Sequence, residues 1–272
     1  MKKVNLFAIA AISFSISTFV ACTSVEISAP DASYFESVVN ESPSYSDQTI
    51  TIAEEFVTAY EASVQQVSGL QKSVAMVNPY PIITVLTEKN VYPQIILIDF
   101  GDNFTDRLGR IIKGQIYLTK YSSTKKTYEF SNLFVNDISV KGYRTITVVV
   151  KGTLNIESKD TLLFPDKKTS NRHLNRTRTW IDNNGTEYDW SDDKFSLTGS
   201  TSGVNTKGET YSTIIDNEQP LITKNGYKYF VSGVISIITP KGTQVVDFGD
   251  GTEDNIATST INGLTKQITY NW

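Results

Sequence analysis

The chain has 272 residues, 39% hydrophobic and 20% charged, with a formal charge of −4. It is long enough for a sizeable core, too apolar for a disordered chain and too polar for a multi-span membrane protein. The acidic balance argues against a nucleic-acid partner, and one Cys and one His exclude an internal disulfide and a Cys-rich or multi-His metal site.

Residues 1–21, MKKVNLFAIAAISFSISTFVA, have the layout of a secretory signal. Lys2 and Lys3 form a positive start, Leu6 to Val20 an apolar stretch, and Ala21 a small residue at the cleavage point. Next comes Cys22, the only Cys. The stretch Phe19-Val20-Ala21-Cys22 resembles a bacterial lipobox, whose Cys is diacylated and becomes the new N-terminus. That resemblance implies lipidation at Cys22 and a cell-envelope location, with the outer membrane favoured. Two or three acyl chains would anchor stably, at about 0.8 kcal/mol per buried methylene. Cleavage removes two lysines and no acids, taking the formal charge from −4 to −6.

Residues 22–48 are rich in Ser, small residues and acids and read as a flexible tether. Residues 49–70 carry the one amphipathic helix pattern, with Ile52, Phe56, Tyr60, Val64 and Val67 on one stripe. The rest of 49–272 reads as a single β-rich domain. Strands are expected at 82–87, 92–99, 111–121, 127–135, 144–157, 161–164, 174–182, 186–190, 209–216, 227–239, 243–248, 256–261 and 264–271. The segment 144–157 alternates most clearly, with Ile146, Val148, Val150, Leu154 and Ile156 on a dry face. As one unbroken strand it would span about 45 Å. Turns are marked by Asn184-Gly185, Asn225-Gly226, Asp250-Gly251 and Asn262-Gly263. The fold class expected is mainly β, an antiparallel β-sandwich or open half-barrel with one N-terminal helix.

One short motif repeats: DFGDNFTD at 99–106 and DFGDGTED at 247–254. The simplest account is a shared turn, with Phe buried, Gly at positive φ and Asp bonding nearby backbone N–H groups. Calcium is the functional alternative, although neither copy has the spacing of a calcium loop. IDFGD, GRIIKGQIYLTKY (109–121), RTRTWI (176–181) and VDFGDGTEDNIATSTINGLTKQI (246–268) are similar to a group of Bacteroidota lipoproteins of unknown function. The resemblance implies a lipoprotein with an all-β body and supplies no activity, cofactor or catalytic residue.

No constellation points to an enzyme. His173 lies in a basic stretch with Lys167, Lys168, Arg172, Arg176 and Arg178, reads as a solvated loop residue, and has no nucleophile elbow to serve. The basic stretch is expected to pair with the acids that follow, Asp182, Glu187, Asp189, Asp192 and Asp193. A two-residue turn at Asn184-Gly185 would pair Trp180 with Asp189 and put Ile181 on the core side. Trp180 would then stand outside with Arg178 and Asp189, an arrangement able to stack a sugar and also one in which Arg merely stacks on Trp. The functional expectation is a non-enzymatic structural or binding lipoprotein, held to the membrane by its lipid, with a glycan or an envelope protein as partner. The alternative is a carrier of lipid or lipoprotein acyl chains in a curved sheet, with an apolar pocket along the Ile146–Ile156 face.

Overall fold

Alternation of large apolar and small polar residues, broken by Gly- and Asn-containing turns, builds one antiparallel sheet from residue 82 to residue 269. The structure is a computed structural model that describes residues 49–50, 52–54, 56–58, 60, 81–88, 91–106, 109–182, 193–224 and 230–269. The signal peptide, Cys22, the tether, helix positions 61–70, the strand expected at 186–190, Asp189 and the turns at 184–185 and 225–226 lie outside those residues. Among the described residues no helix is long and apolar enough to cross a membrane.

The strands are β1 (Ile82–Val85), β2 (Gln94–Asp99), β3 (Phe104–Thr105), β4 (Ile111–Lys120), β5 (Lys125–Val135), β6 (Ile138–Val150), β7 (Thr153–Leu163) and β8 (Thr169–Asp182). They continue as β9 (Lys194–Val204), β10 (Thr210–Ile215), β11 (Leu221–Lys224), β12 (Phe230–Thr239), β13 (Gly242–Asp250), β14 (Ile256–Ile261) and β15 (Leu264–Thr269). The order across the sheet is β1-β2-β4-β5-β6-β7-β8-β9-β10-β12-β13-β14-β15, with β3 beside β4 and β11 between β9 and β12. It is a meander: nearly every strand pairs with its neighbour in sequence. The fold is thus mainly β and antiparallel, with one N-terminal helix, as the sequence indicates.

Two expectations need correction. The run 144–157 is not one strand: β6 ends at Val150, Lys151 and Gly152 turn the chain, and β7 returns with Ile146 opposite Ile156. Gly152, at φ 83°, permits the reversal. Both halves keep their apolar residues on one face, so alternation alone reads straight through the turn. Asp250-Gly251 is not a two-residue hairpin either, since β13 ends at Asp250 and β14 begins at Ile256. Asn262-Gly263 is one: Ile261 pairs with Leu264, and both turn residues have positive φ.

The DFGD segments behave as the turn account requires. Asp99 Oδ1 accepts a hydrogen bond from Gly101 N at 2.8 Å, and Asp247 Oδ1 accepts one from Gly249 N at 2.9 Å. Phe100 and Phe248 are buried. The correspondence extends to the neighbouring strands. Asp99 pairs with Gln115, the residue after Gly114, and Asp247 pairs with Val234, the residue after Gly233. Both glycines have positive φ, and a Cβ on either would stand 2.1–2.2 Å from a carbonyl oxygen, of Asn132 or Pro220, in the next strand position. Each glycine makes room for an irregularity there: the register shift of β5 and the break between β10 and β11. Counted outward from the central β7–β8 pair, the two arrangements occupy the same places, third and fourth strand on either side.

The inner face carries two apolar clusters. The first joins helix residues Ile50, Ala53 and Val57 to Ile96, Ile116, Leu118, Ile146 and Leu162 across β2–β7. The fully buried helix positions are thus turned from the expected stripe, of which Ile52 and Phe56 pack partly buried. Glu54 helps seat the helix, accepting from Tyr128 Oη at 2.9 Å and pairing with Lys126 Nζ at 2.7 Å. The second cluster joins Ile215, Leu221, Ile237, Val246, Phe248 and Ile261 across β10–β14. A polar seam separates them.

Candidate functional site: a buried arginine seam

On β8 the inward residues have even numbers. Ser170, Arg172 and Leu174 are buried, Arg176, Arg178 and Trp180 half-buried, and Asn171, His173 and Asn175 exposed. This overturns the expected hairpin. Trp180 pairs with Phe195 rather than Asp189, so the β8–β9 connection is longer than two residues. Ile181, expected in the core, is 50% exposed on the outer face. The strand β9 had no counterpart among the expected strands because its sequence, KFSLTGSTSGV, is mostly small and polar. Those small residues are what lie opposite the arginines: Gly199 faces Arg176 and Gly203 faces Arg172.

Asp160 lies at the centre of the seam. It stands on β7 directly across from Arg172, which donates to its Oδ2 from Nε at 3.0 Å and also from Nη2. Its other oxygen accepts from Ser158 Oγ at 2.9 Å. The pair is sealed, with side-chain exposures of 2% for Arg172 and 0% for Asp160. Arg172 of the basic stretch thus pairs with an acid on the strand before it, while Asp193, one of the acids that follow, acts electrostatically on Arg178; Glu187, Asp189 and Asp192 lie outside the described residues. Arg144, on β6 across from Ser158, is buried on the same face. Arg176 donates from Nη2 to Thr201 Oγ1 at 3.2 Å, and Thr213 of β10 stands directly across from Thr201.

Electrostatics confirm the crowding of like charge. Burial first, and then the Arg172 charge, pull Arg144 down to about 10, with Asp160 opposing and Arg176 adding to the fall. Burial and then Arg172 likewise pull Arg176 down to about 10, with Tyr211 opposing. Both stay protonated near neutral pH. Arg178 is lowered by burial, while Glu54 and Asp193 act against the fall, and its guanidinium lies 3.5 Å from the centroid of the Phe195 ring. Asp160 thus pairs with Arg172 and also opposes the fall at Arg144. Arg176 Nε and Thr213 Oγ1 are among the polar atoms of this patch that are buried without a hydrogen-bond partner among the described residues. An unsatisfied buried group costs about 1–3 kcal/mol.

The other candidates fall out differently. Trp180 and Arg178 share the inward face, with Trp180 N donating to Gly152 O at 2.8 Å and Arg178 stacked on Phe195 rather than on Trp180. His173 is a mid-strand residue, not a loop residue, on the outer face with Lys159 and Ser202 as cross-strand partners and Glu157 Oε1 at 3.8 Å. A groove of ≈ 320 Å³ at the β7–β8 turn is lined by Phe164, Pro165, Asp166, Lys168 and Thr206, and its Lys168 and Asp166 pair with each other at 2.7 Å. Among the described residues no three His, Cys, Asp or Glu side chains gather in a way that could hold a metal ion. The seam was legible only in part: Arg172, Leu174, Arg176, Arg178 and Trp180 all have the same parity, as do Arg144 and Ile146. Comparison with family models, curated proteins and solved structures gave no match.

Proposed function

We propose that this protein is a lipid-anchored component of a bacterial cell envelope, tethered through Cys22, whose β body has a non-enzymatic binding role. The observation that carries the binding role is the polar seam itself. A buried charged cluster is a poor stabiliser compared with apolar packing, so stability alone does not account for three arginines and one acid on an inner sheet face. The packing of helix residues with Ile146 and Leu154 in one core favours this reading over an acyl-chain carrier, which needs that face unfilled. The setting of His173 supports a non-enzymatic role. Its neighbouring backbone N–H groups belong to the β7–β8–β9 ladder, whereas an oxyanion hole needs them free.

The anchor is tested by expressing the full chain in a bacterium with lipoprotein processing and feeding labelled palmitate. Label should enter the unaltered protein and not Cys22→Ser. Label in both, or in neither, overturns the tether.

A further inference from the structure

We propose that three hairpin tips at one end of the sheet rest on an anionic phospholipid surface; this builds on the anchored location proposed above and adds a second, non-covalent contact to it. The tips join β1 to β2, β4 to β5 and β6 to β7. Register sets them side by side: Gln94 stands opposite Lys120, and Val148 N donates to Thr124 O at 2.7 Å. Turn chemistry does not ask for the apolar residues they carry. Leu86, Val91, Tyr92, Tyr121, Val149 and Val150 are 49–61% exposed. Turns at the opposite end of the same strands instead expose Asp102, Asn136, Asp137, Asp166 and Lys167. The large apolar residues exposed there among the described residues, Ile82, Ile111 and Phe134, sit within strands. Val149 and Val150 are the clearest case. Successive strand residues face opposite ways, yet these two are 60% and 61% exposed, while Ile146, lower on the same strand, is 8% exposed. The hairpin therefore projects past the packed core on both faces.

Charge selects the partner. The protein is acidic overall, at −4, but these tips expose Lys125 and Lys151 against one acid, Glu88, among the described residues. Lys125 Nζ lies 5.7 Å from the Tyr121 ring centroid. Tyr at headgroup level and Lys reaching for anionic headgroups are the side chains of a bilayer interface, and aliphatic tips enter the acyl boundary below them. Acids recur from Asp182 onward, which confines the surface to the β1–β7 tips. The tips form the end of a single sheet, a ridge rather than the broad patch of about 800 Å² per partner that a stable protein pair uses. Such a contact is weak alone, but a lipid anchor holds the body beside the bilayer at about millimolar effective concentration.

The test uses the full chain acylated at Cys22, reconstituted in vesicles of phosphatidylcholine and phosphatidylglycerol. Acylation occupies the only native thiol, so Val150→Cys can carry an environment-sensitive fluorophore. Lys207→Cys, exposed on the β9–β10 turn at the opposite end, is the control. The label on Val150→Cys should shift blue and be quenched by headgroup-proximal doxyl lipid about twofold or more above the label on Lys207→Cys. Adding Lys125→Glu and Lys151→Glu to Val150→Cys should cut that quenching, each lost lysine being worth about fivefold in affinity for an anionic surface. Equal quenching of the two labels overturns the surface, as does a blue shift without quenching, which marks burial against protein. Quenching unchanged by the two lysine substitutions overturns the anionic partner. Mass spectrometry of the same sample reads acylation. If Cys22 is not acylated, the two labelled variants are remade with Cys22→Ser and added to preformed vesicles under the same criteria, so loss of the tether and loss of the surface are read separately.

Discussion

Replacing Asp160 by Asn tests the central electrostatic claim, because the side chain keeps its shape and loses only its charge. The amide oxygen can still accept from Ser158 Oγ, which now approaches at 2.9 Å. What disappears is the counter-charge to Arg172, held by two donors on one oxygen with neither side chain more than 2% exposed. Removing one partner of a buried pair costs about 3–5 kcal/mol. For a β body of this length each kcal/mol moves Tm by about 2–4 °C, so a fall of about 6–20 °C is expected. Thermal unfolding of the full chain measures it, with urea titration as a second probe. The double variant Asp160→Leu/Arg172→Met, which removes both charges and keeps the volume, should recover most of the loss. A loss for Asp160→Asn below about 1 kcal/mol, the worth of an exposed pair, would refute the description of the seam as buried and charge-crowded.

Gly114→Ala should unfold the protein or cost more than about 4 kcal/mol, because the new Cβ would stand 2.1 Å from Asn132 O at φ 92°. Gly101→Ala, at φ 64° with nothing within 4 Å, should cost only about 1–2 kcal/mol, and equilibrium unfolding of the two variants checks the order. Calcium at about 1 mM should leave Tm unchanged, since Asp99 and Asp247 hold their own turns; a rise would show that the DFGD segments bind the ion. The Asp250 carboxyl should titrate below the ordinary Asp range because the Thr252 hydroxyl and backbone N–H donate to it. Its stabilising effect is present above the ordinary Asp value and fades as pH falls through the lowered one. Carbon-detected NMR titration reads this directly, and Thr252→Ala should return Asp250 towards its usual value.

Local chemistry decided a good deal of this protein. Runs rich in β-branched and apolar residues mark β2, β4, β12 and β14, Asn262-Gly263 makes its hairpin, and both DFGD segments form the turn that their residue types require. Each depends on neighbours a few residues away, so one stretch of sequence holds all the information. The seam does not. Alternation shows that Arg172, Arg176, Arg178 and Trp180 share a face, but not which face of β8 is covered. That was settled by the strands on either side, including the Gly- and Ser-rich β9, whose composition hides it as a strand. The partner of Arg172 was settled by register: the turn at 164–168 sets Leu163 against Thr169, and that pairing brings Asp160 opposite Arg172. A charge pair between strands depends on where the turn closes, and a shift of one residue would have sent the carboxylate to the opposite face.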